Sequence, residues 1–220
     1  MLKKDAVARV LKTLESVYGD TTTALEYSTP FQLLISTMLA AQSTDIRVNL
    51  VTGPIFRKYG TPQELAALSV PQLEEMIKTV GLYHSKAKNI LATCRMLIER
   101  FGGEVPETRE ELMQLPGVGR KTANVVLSIT TGFAAIAVDT HVFRVANRIG
   151  LARAGDVLKT EQQLMQNIPE EKWSAAHHWL IWHGRKICRA RNPFCPACPL
   201  TGDCLYYRRG PKAGTAKRNL

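Results

Sequence analysis

No stretch of this sequence is apolar for long enough to cross a bilayer. The longest, from Phe31 to Ala41, is interrupted by Gln32, Ser36 and Thr37 and falls short of the ~20 residues that a spanning helix needs. The N-terminus carries Lys3, Lys4 and Asp5 where a secretory signal would have an apolar core, so the expectation is a soluble cytoplasmic protein without a targeting signal. Alternating polar–apolar runs are nearly absent, which argues against a sheet and for an all-α fold. Cysteine is scarce, with four of the five residues clustered near the C-terminus, and that pattern suggests a metal site rather than disulfides. Acids are outnumbered, 19 against 29 lysines and arginines, for a net charge of +10. A polyanion, most simply nucleic acid, is the partner this implies. Part of the excess is local. Arg208, Arg209, Lys212, Lys217 and Arg218 follow the last cysteine with no acid among them, so 208–220 is expected to be a disordered basic tail that adds nonspecific affinity.

The chain is organised around Leu115-Pro116-Gly117-Val118-Gly119-Arg120-Lys121-Thr122-Ala123-Asn124. Pro116, Gly117 and Gly119 are costly inside a helix and force a tight turn. Thr108-x-x-Glu111 is a capping box that opens a short helix before it. Thr122 to Thr131 carries Ala123, Val126, Leu127 and Ile129 at helical spacing after it. Unpaired N–H groups at such a turn suit a phosphate. Lys121 falls in the first turn of the second helix, where the dipole and Arg120 both favour the neutral amine. It is either a phosphate contact or a nucleophile. From Lys121 to Gly132 a helix rises about 16 Å, and the apolar run 133–138 can span up to about 23 Å. That is long enough to return Asp139 to the level of Lys121. Asp139 also reads as the N-cap of a helix through Val142, Phe143 and Ile149.

Elsewhere, residues 2–18 read as an amphipathic helix burying Ala6, Val10, Leu11, Leu14 and Val17. Thr29-Pro30-x-Gln32 opens a helix apolar nearly all round, expected at the centre of a lobe. It ends at Gln42-Ser43-Thr44-Asp45, where Thr44 or Asp45 caps the next helix, 46–59. Thr61-x-x-Glu64 and Ser69-x-x-Gln72 open two short helices. Gly81-Leu82-Tyr83-His84-Ser85-Lys86 is a second turn leading into a helix, with Lys86 and Asn89 spaced like Lys121 and Asn124. Lys86 is thus a rival lysine, although no aspartate follows it at the matching distance. Leu82 is either a wedge between bases or a core residue. Cys94 reads as a buried, inert thiol. Residues 156–168 and 170–187 form two more helices, with Trp173, Trp179 and Trp182 in the core and no metal assigned to His177, His178 or His183.

Cys188-x6-Cys195-x2-Cys198-x5-Cys204 is the most specific signal. Four thiols among Pro193, Pro196, Pro199 and Gly202 form a loop that cannot bury a core without a bound group. Zinc sites usually pair two short knuckles and only one occurs here, while all-cysteine ligation also suits an iron–sulfur cluster. On spacing alone both stand.

The 115–124 segment, with Val138-Asp139-Thr140-His141-Val142-Phe143-Arg144, resembles the endonuclease III family of helix-hairpin-helix DNA glycosylases, and the likeness extends over nearly the whole chain. The resemblance implies a two-lobed all-α fold. Residues 23–133 would form a continuous six-helix lobe with the motif at 108–128, and 1–22 with 134–220 the other lobe, containing the 188–204 loop. It implies that Lys121 is the amine nucleophile and Asp139 its carboxylate partner, facing a cleft between the lobes. It also implies a [4Fe-4S] cluster on Cys188, Cys195, Cys198 and Cys204, structural rather than redox, shaping a loop that presents Arg189 and Arg191 to phosphates. Gln42 would enter the duplex where a base has been extruded, with Leu82, Gly117, Gly119, Arg120 and His141 also against DNA. The partner would be double-stranded DNA containing damaged bases or abasic sites, bound by a monomer. The reaction would be removal of oxidised pyrimidines and strand cleavage through a lysine Schiff base. Two alternatives stand beside it: a monofunctional glycosylase of the adenine-specific type, which lacks the hairpin lysine and carries an extra C-terminal domain, and a non-catalytic DNA-binding protein with a zinc-stabilised basic loop. Ala41 and Ser43 depart from the family's form.

Overall fold

The structure, a computed structural model, describes residues 1–19 and 21–210 of the chain. All regular structure among the described residues is helical, as the shortage of alternating patterns requires. The chain forms two compact units. One is continuous, Thr23–Phe133, and the other joins Met1–Thr22 to Ala134–Leu220.

The second unit begins with α1 (Lys4–Tyr18). The continuous unit then holds α2 (Pro30–Ala40), α3 (Asp45–Lys58), α4 (Pro62–Ala66), α5 (Val70–Ile77), α6 (Tyr83–Phe101), α7 (Arg109–Leu112) and α8 (Arg120–Thr130). Among these, α7 is the short helix that the Thr108-x-x-Glu111 pattern places before the hairpin. Helix α2 is buried at Phe31, Leu33, Leu34, Ile35, Met38 and Leu39 and packs against α3, α6 and α8. Each such side chain taken from water contributes about 1.5–3 kcal/mol, so this helix anchors the unit.

Local chemistry sets the helix starts. Thr29 accepts from the Gln32 amide at 3.2 Å and Thr44 from the Arg47 amide at 3.3 Å. Thr61 accepts from the Glu64 amide while Glu64 accepts from the Thr61 amide, and the Ser69 amide donates to Gln72 at 2.8 Å. These are the orphan donors of each first turn, satisfied by side chains. The Gln32 side chain differs from the expected reciprocal arm: it accepts from Ser28 rather than Thr29.

The remaining helices of the second unit are α9 (Thr140–Ile149), α10 (Val157–Asn167), α11 (Trp173–Lys186) and α12 (Leu205–Arg208). Helix α11 packs on both α1 and α9. Helix α1 contributes Val7, Val10, Leu11, Leu14 and Tyr18 to this core. Val17, expected on the buried stripe, is 47% exposed. The stripe advances by four from Leu14, so Tyr18 takes the inward position. The helix expected from residue 170 opens as a 3-10 turn, Glu170–Lys172, and becomes α-helical at Trp173. Trp179 is buried, its indole donating to the Gly19 carbonyl at 2.8 Å, and Cys94 is fully buried, which pushes its thiol up to about 12. Arg208, expected in the tail, ends α12 and donates to the Gly202 carbonyl; residues 211–220 lie outside the described residues. No described helix is long and apolar enough to cross a membrane.

His178 gives this unit a pH signature. Burial lowers it from 6.5 to about 4. Between those values the unfolded chain binds a proton that the folded one refuses, so stability falls as pH falls through the window and levels off below it. The full penalty is about 3 kcal/mol. Chemical denaturation at pH 7 and pH 4.5 should show a loss that His178→Gln reduces.

Candidate active site

The hairpin is built by contacts that only its own residues allow. Gly117 has φ +80, and a Cβ there would meet the Asn89 side chain at 2.8 Å. The Val118 amide donates to Leu115, and Thr93 Oγ1 donates to the Pro116 carbonyl at 3.0 Å, tying the turn to α6. Gly117→Ala should cost about 1–3 kcal/mol, seen as a lowered unfolding midpoint with no change in helix content. Gly119 is the N-cap of α8 in extended backbone, and no side chain caps that helix. Glycine supplies no capping side chain, so the first turn of α8 opens at the positive end of an 11-residue helix without an N-cap side-chain bond. Gly117, Gly119, Arg120 and Lys121 are all exposed there. Lys121 is the second helical residue, on a surface suited to an anion.

Asp139 lies in the other unit, where it caps α9 by accepting from the Val142 amide at 2.8 Å. The bond holds one carboxylate oxygen and leaves the group partly exposed. His141, in the first turn of α9, accepts at Nδ1 from Arg144 at 3.2 Å, since a guanidinium only donates. Gln42 and Leu82 are exposed in the continuous unit. That exposure removes the core reading of Leu82. Lys86 has the opposite fate: it is 7% exposed, its ammonium donating to the Leu39 carbonyl at 2.8 Å.

The four C-terminal thiols line one small cavity of about 20 Å³ together with Ile149, Ile187, Pro193 and His183. All four are free cysteines. Burial pushes Cys198 up to about 11 and raises Cys204. Among the described residues, no three His, Cys, Asp or Glu side chains converge closely enough to hold a single ion. The loop is laced to α9 by arginines that sequence reading passed over. Arg144 donates to the Cys188 carbonyl at 3.1 Å, and Arg148 donates to the Arg189 and Ala190 carbonyls. Their spacing of four on one helix face was the available signal. His183, assigned to no metal, sits with Nε2 3.6 Å from Cys198 Sγ and Nδ1 3.0 Å from the Tyr18 hydroxyl. Arg189 and Arg191 are exposed on the same loop.

With this geometry in place, the comparisons with known proteins agree with one another. Residues 35–170 match the HhH-GPD superfamily, base excision DNA repair proteins. Endonuclease III of Bacillus subtilis is 49% identical over 88% of this chain and 89% of its own length. That of Haemophilus influenzae is 48% identical over 94% and 99%. A solved structure of a trapped endonuclease III–DNA covalent intermediate superposes with a TM-score of 0.91 at 48% identity, covering 95% of this chain and 99% of that one.

Proposed function

The chain belongs to the HhH-GPD superfamily of base excision DNA repair proteins, and we propose from this that it is a bifunctional DNA glycosylase and AP lyase for oxidised pyrimidines. The observation that carries the reading is Lys121, exposed in the first turn of an α8 with no side-chain cap, directly after the glycine hairpin. The hairpin and helix amides, with Arg120, hold phosphates of double-stranded DNA containing a damaged base or an abasic site, and the base leaves the stack. The Lys121 amine attacks C1′ of the sugar, the C1′–N bond to the base breaks, and the departing base takes up a proton. Asp139, held by the Val142 amide, assists proton transfer and offsets positive charge developing on the sugar. Ring opening gives the imine. Loss of a C2′ proton then expels the 3′ phosphate by β-elimination, and water releases the lysine. Gln42 occupies the space the base vacates, Leu82 wedges between bases, His141 lies against the DNA, and Arg189 and Arg191 contact the backbone. The protein acts as a monomer on cellular DNA in the cytoplasm.

The residues at Cys188, Cys195, Cys198 and Cys204 fit a [4Fe-4S] cluster. Their donors are all sulfur and line a shared cavity, whereas a lone zinc with bonds of about 2.3 Å would draw four sulfurs together. The cluster, when bound, supplies a structural core for the 188–204 loop. Borohydride reduction in the presence of a duplex with one abasic site tests the reading. A covalent adduct is expected, and binding without adduct would leave the monofunctional or binding-only alternatives.

A further inference from the structure

Gln42 and Leu82, both exposed, are non-glycine residues at φ +57 and +60. Left-handed backbone is strained for a residue with a Cβ. Such strain persists where surrounding structure enforces it, and it gathers at functional sites.

What enforces it lies directly beneath the two turns. The Lys86 ammonium has three N–H donors. It donates to the Leu39 carbonyl at 2.8 Å, to the Ala41 carbonyl at 2.5 Å and to Ser43 Oγ at 3.5 Å. The two carbonyls are at the C-terminal end of α2, where orphan acceptors and the negative end of the dipole favour a cation. Burial lowers the lysine's pKa, and these acceptors oppose that loss of charge. Ser43 Oγ also accepts from the Gly81 amide at 3.2 Å, one residue before Leu82. Gly81 completes the approach, because a Cβ there would lie 3.3 Å from the Gln42 carbonyl oxygen. A helix-end cap would need only the two carbonyls. The bonds through Ser43 reach the second turn as well.

We infer that Lys86 and Ser43 are positioning residues that clamp Gln42 and Leu82 together as one preformed wedge for insertion into a duplex. The inference rests on the DNA reading above and deepens it. An exposed leucine is suited to unstacking a base step, and an amide beside it can face the bases left behind. Holding both before contact removes an ordering cost that binding would otherwise carry.

The test uses a duplex with 2-aminopurine opposite one abasic site, and the abasic strand alone. Fluorescence on binding, read on the same duplex with a tetrahydrofuran analogue in place of the abasic sugar so that no imine can form, reports insertion, and borohydride trapping gives a rate on each abasic substrate. For Lys86→Met, the duplex-to-single-strand rate ratio should fall by about ten- to a hundredfold, with the fluorescence response falling in parallel. Ser43→Ala should shift both readouts in the same direction by about threefold. An equal fall on both substrates, or an unchanged ratio with unchanged fluorescence, would overturn the clamp. If Lys86→Met does not fold, Ser43→Ala decides by the same two readouts. If wild type binds without forming an adduct, the lyase reading fails, and the fluorescence comparison still tests the clamp.

Discussion

Lys121→Ala is expected to lower the rate of covalent capture on an abasic duplex by at least about a thousandfold, with DNA affinity nearly kept. Alanine removes the amine proposed to form the imine. It leaves Gly119 as N-cap and the first-turn amides of α8 in place, and alanine is itself a good helix former. The salt dependence of binding should lose at most about one counterion's worth of slope. Lys86→Ala separates this result from general damage. Its ammonium is buried beneath the end of α2, so its removal should weaken positioning and leave an adduct that can still be trapped. An adduct lost in Lys86→Ala and kept in Lys121→Ala would move the chemistry to the other turn.

The second large effect is expected of Cys198→Ser. Its sulfur is half-buried in the cavity that the other three cysteines line, and serine offers a poor ligand to iron. The 188–204 segment has little core of its own, since Leu200 is its one buried hydrophobic residue. Metal binding and folding of such a loop are then the same free energy, and the loss should exceed about 4 kcal/mol. Iron content and visible absorbance should fall together with the unfolding midpoint, and exposed Arg189 and Arg191 should lose their fixed placement. Cys94→Ser is the control. That thiol is buried in α6, away from the other four in sequence, and the variant should keep its iron. A colourless wild type containing zinc would overturn the cluster.

The helix starts were legible because their chemistry is local. Thr29, Thr44, Thr61 and Asp139 each accept from an amide three residues on, so the pattern and the bond occupy the same few residues. The position of Lys121 in a first helical turn is just as local, set by the Gly117–Gly119 turn directly before it. What escaped was set by distant partners. A periodic stripe located α1 and its last inward residue is Tyr18, but the hydroxyl's partner, His183, lies 165 positions away. Lys86 looked like a rival for Lys121 by spacing, and only the end of α2, 45 residues earlier, reveals it as a buried donor. Arg144 and Arg148 find their carbonyl acceptors only in the cysteine loop, some 40 residues later.

The discontinuity of the second unit sets an order of events during synthesis. Thr23–Phe133 carries its whole core on one continuous segment, so it can close as soon as α8 has left the ribosome. Helix α1 is made first, yet its principal partner, α11, begins at Trp173. The stripe of Val7, Val10, Leu11 and Leu14 therefore waits uncovered while most of the chain is made. Contacts so far apart in sequence form slowly, and exposed apolar faces invite chaperones or aggregation meanwhile. The most distant helices to pair are thus the point at which a nascent chain is most vulnerable, even though the hairpin region is complete long before.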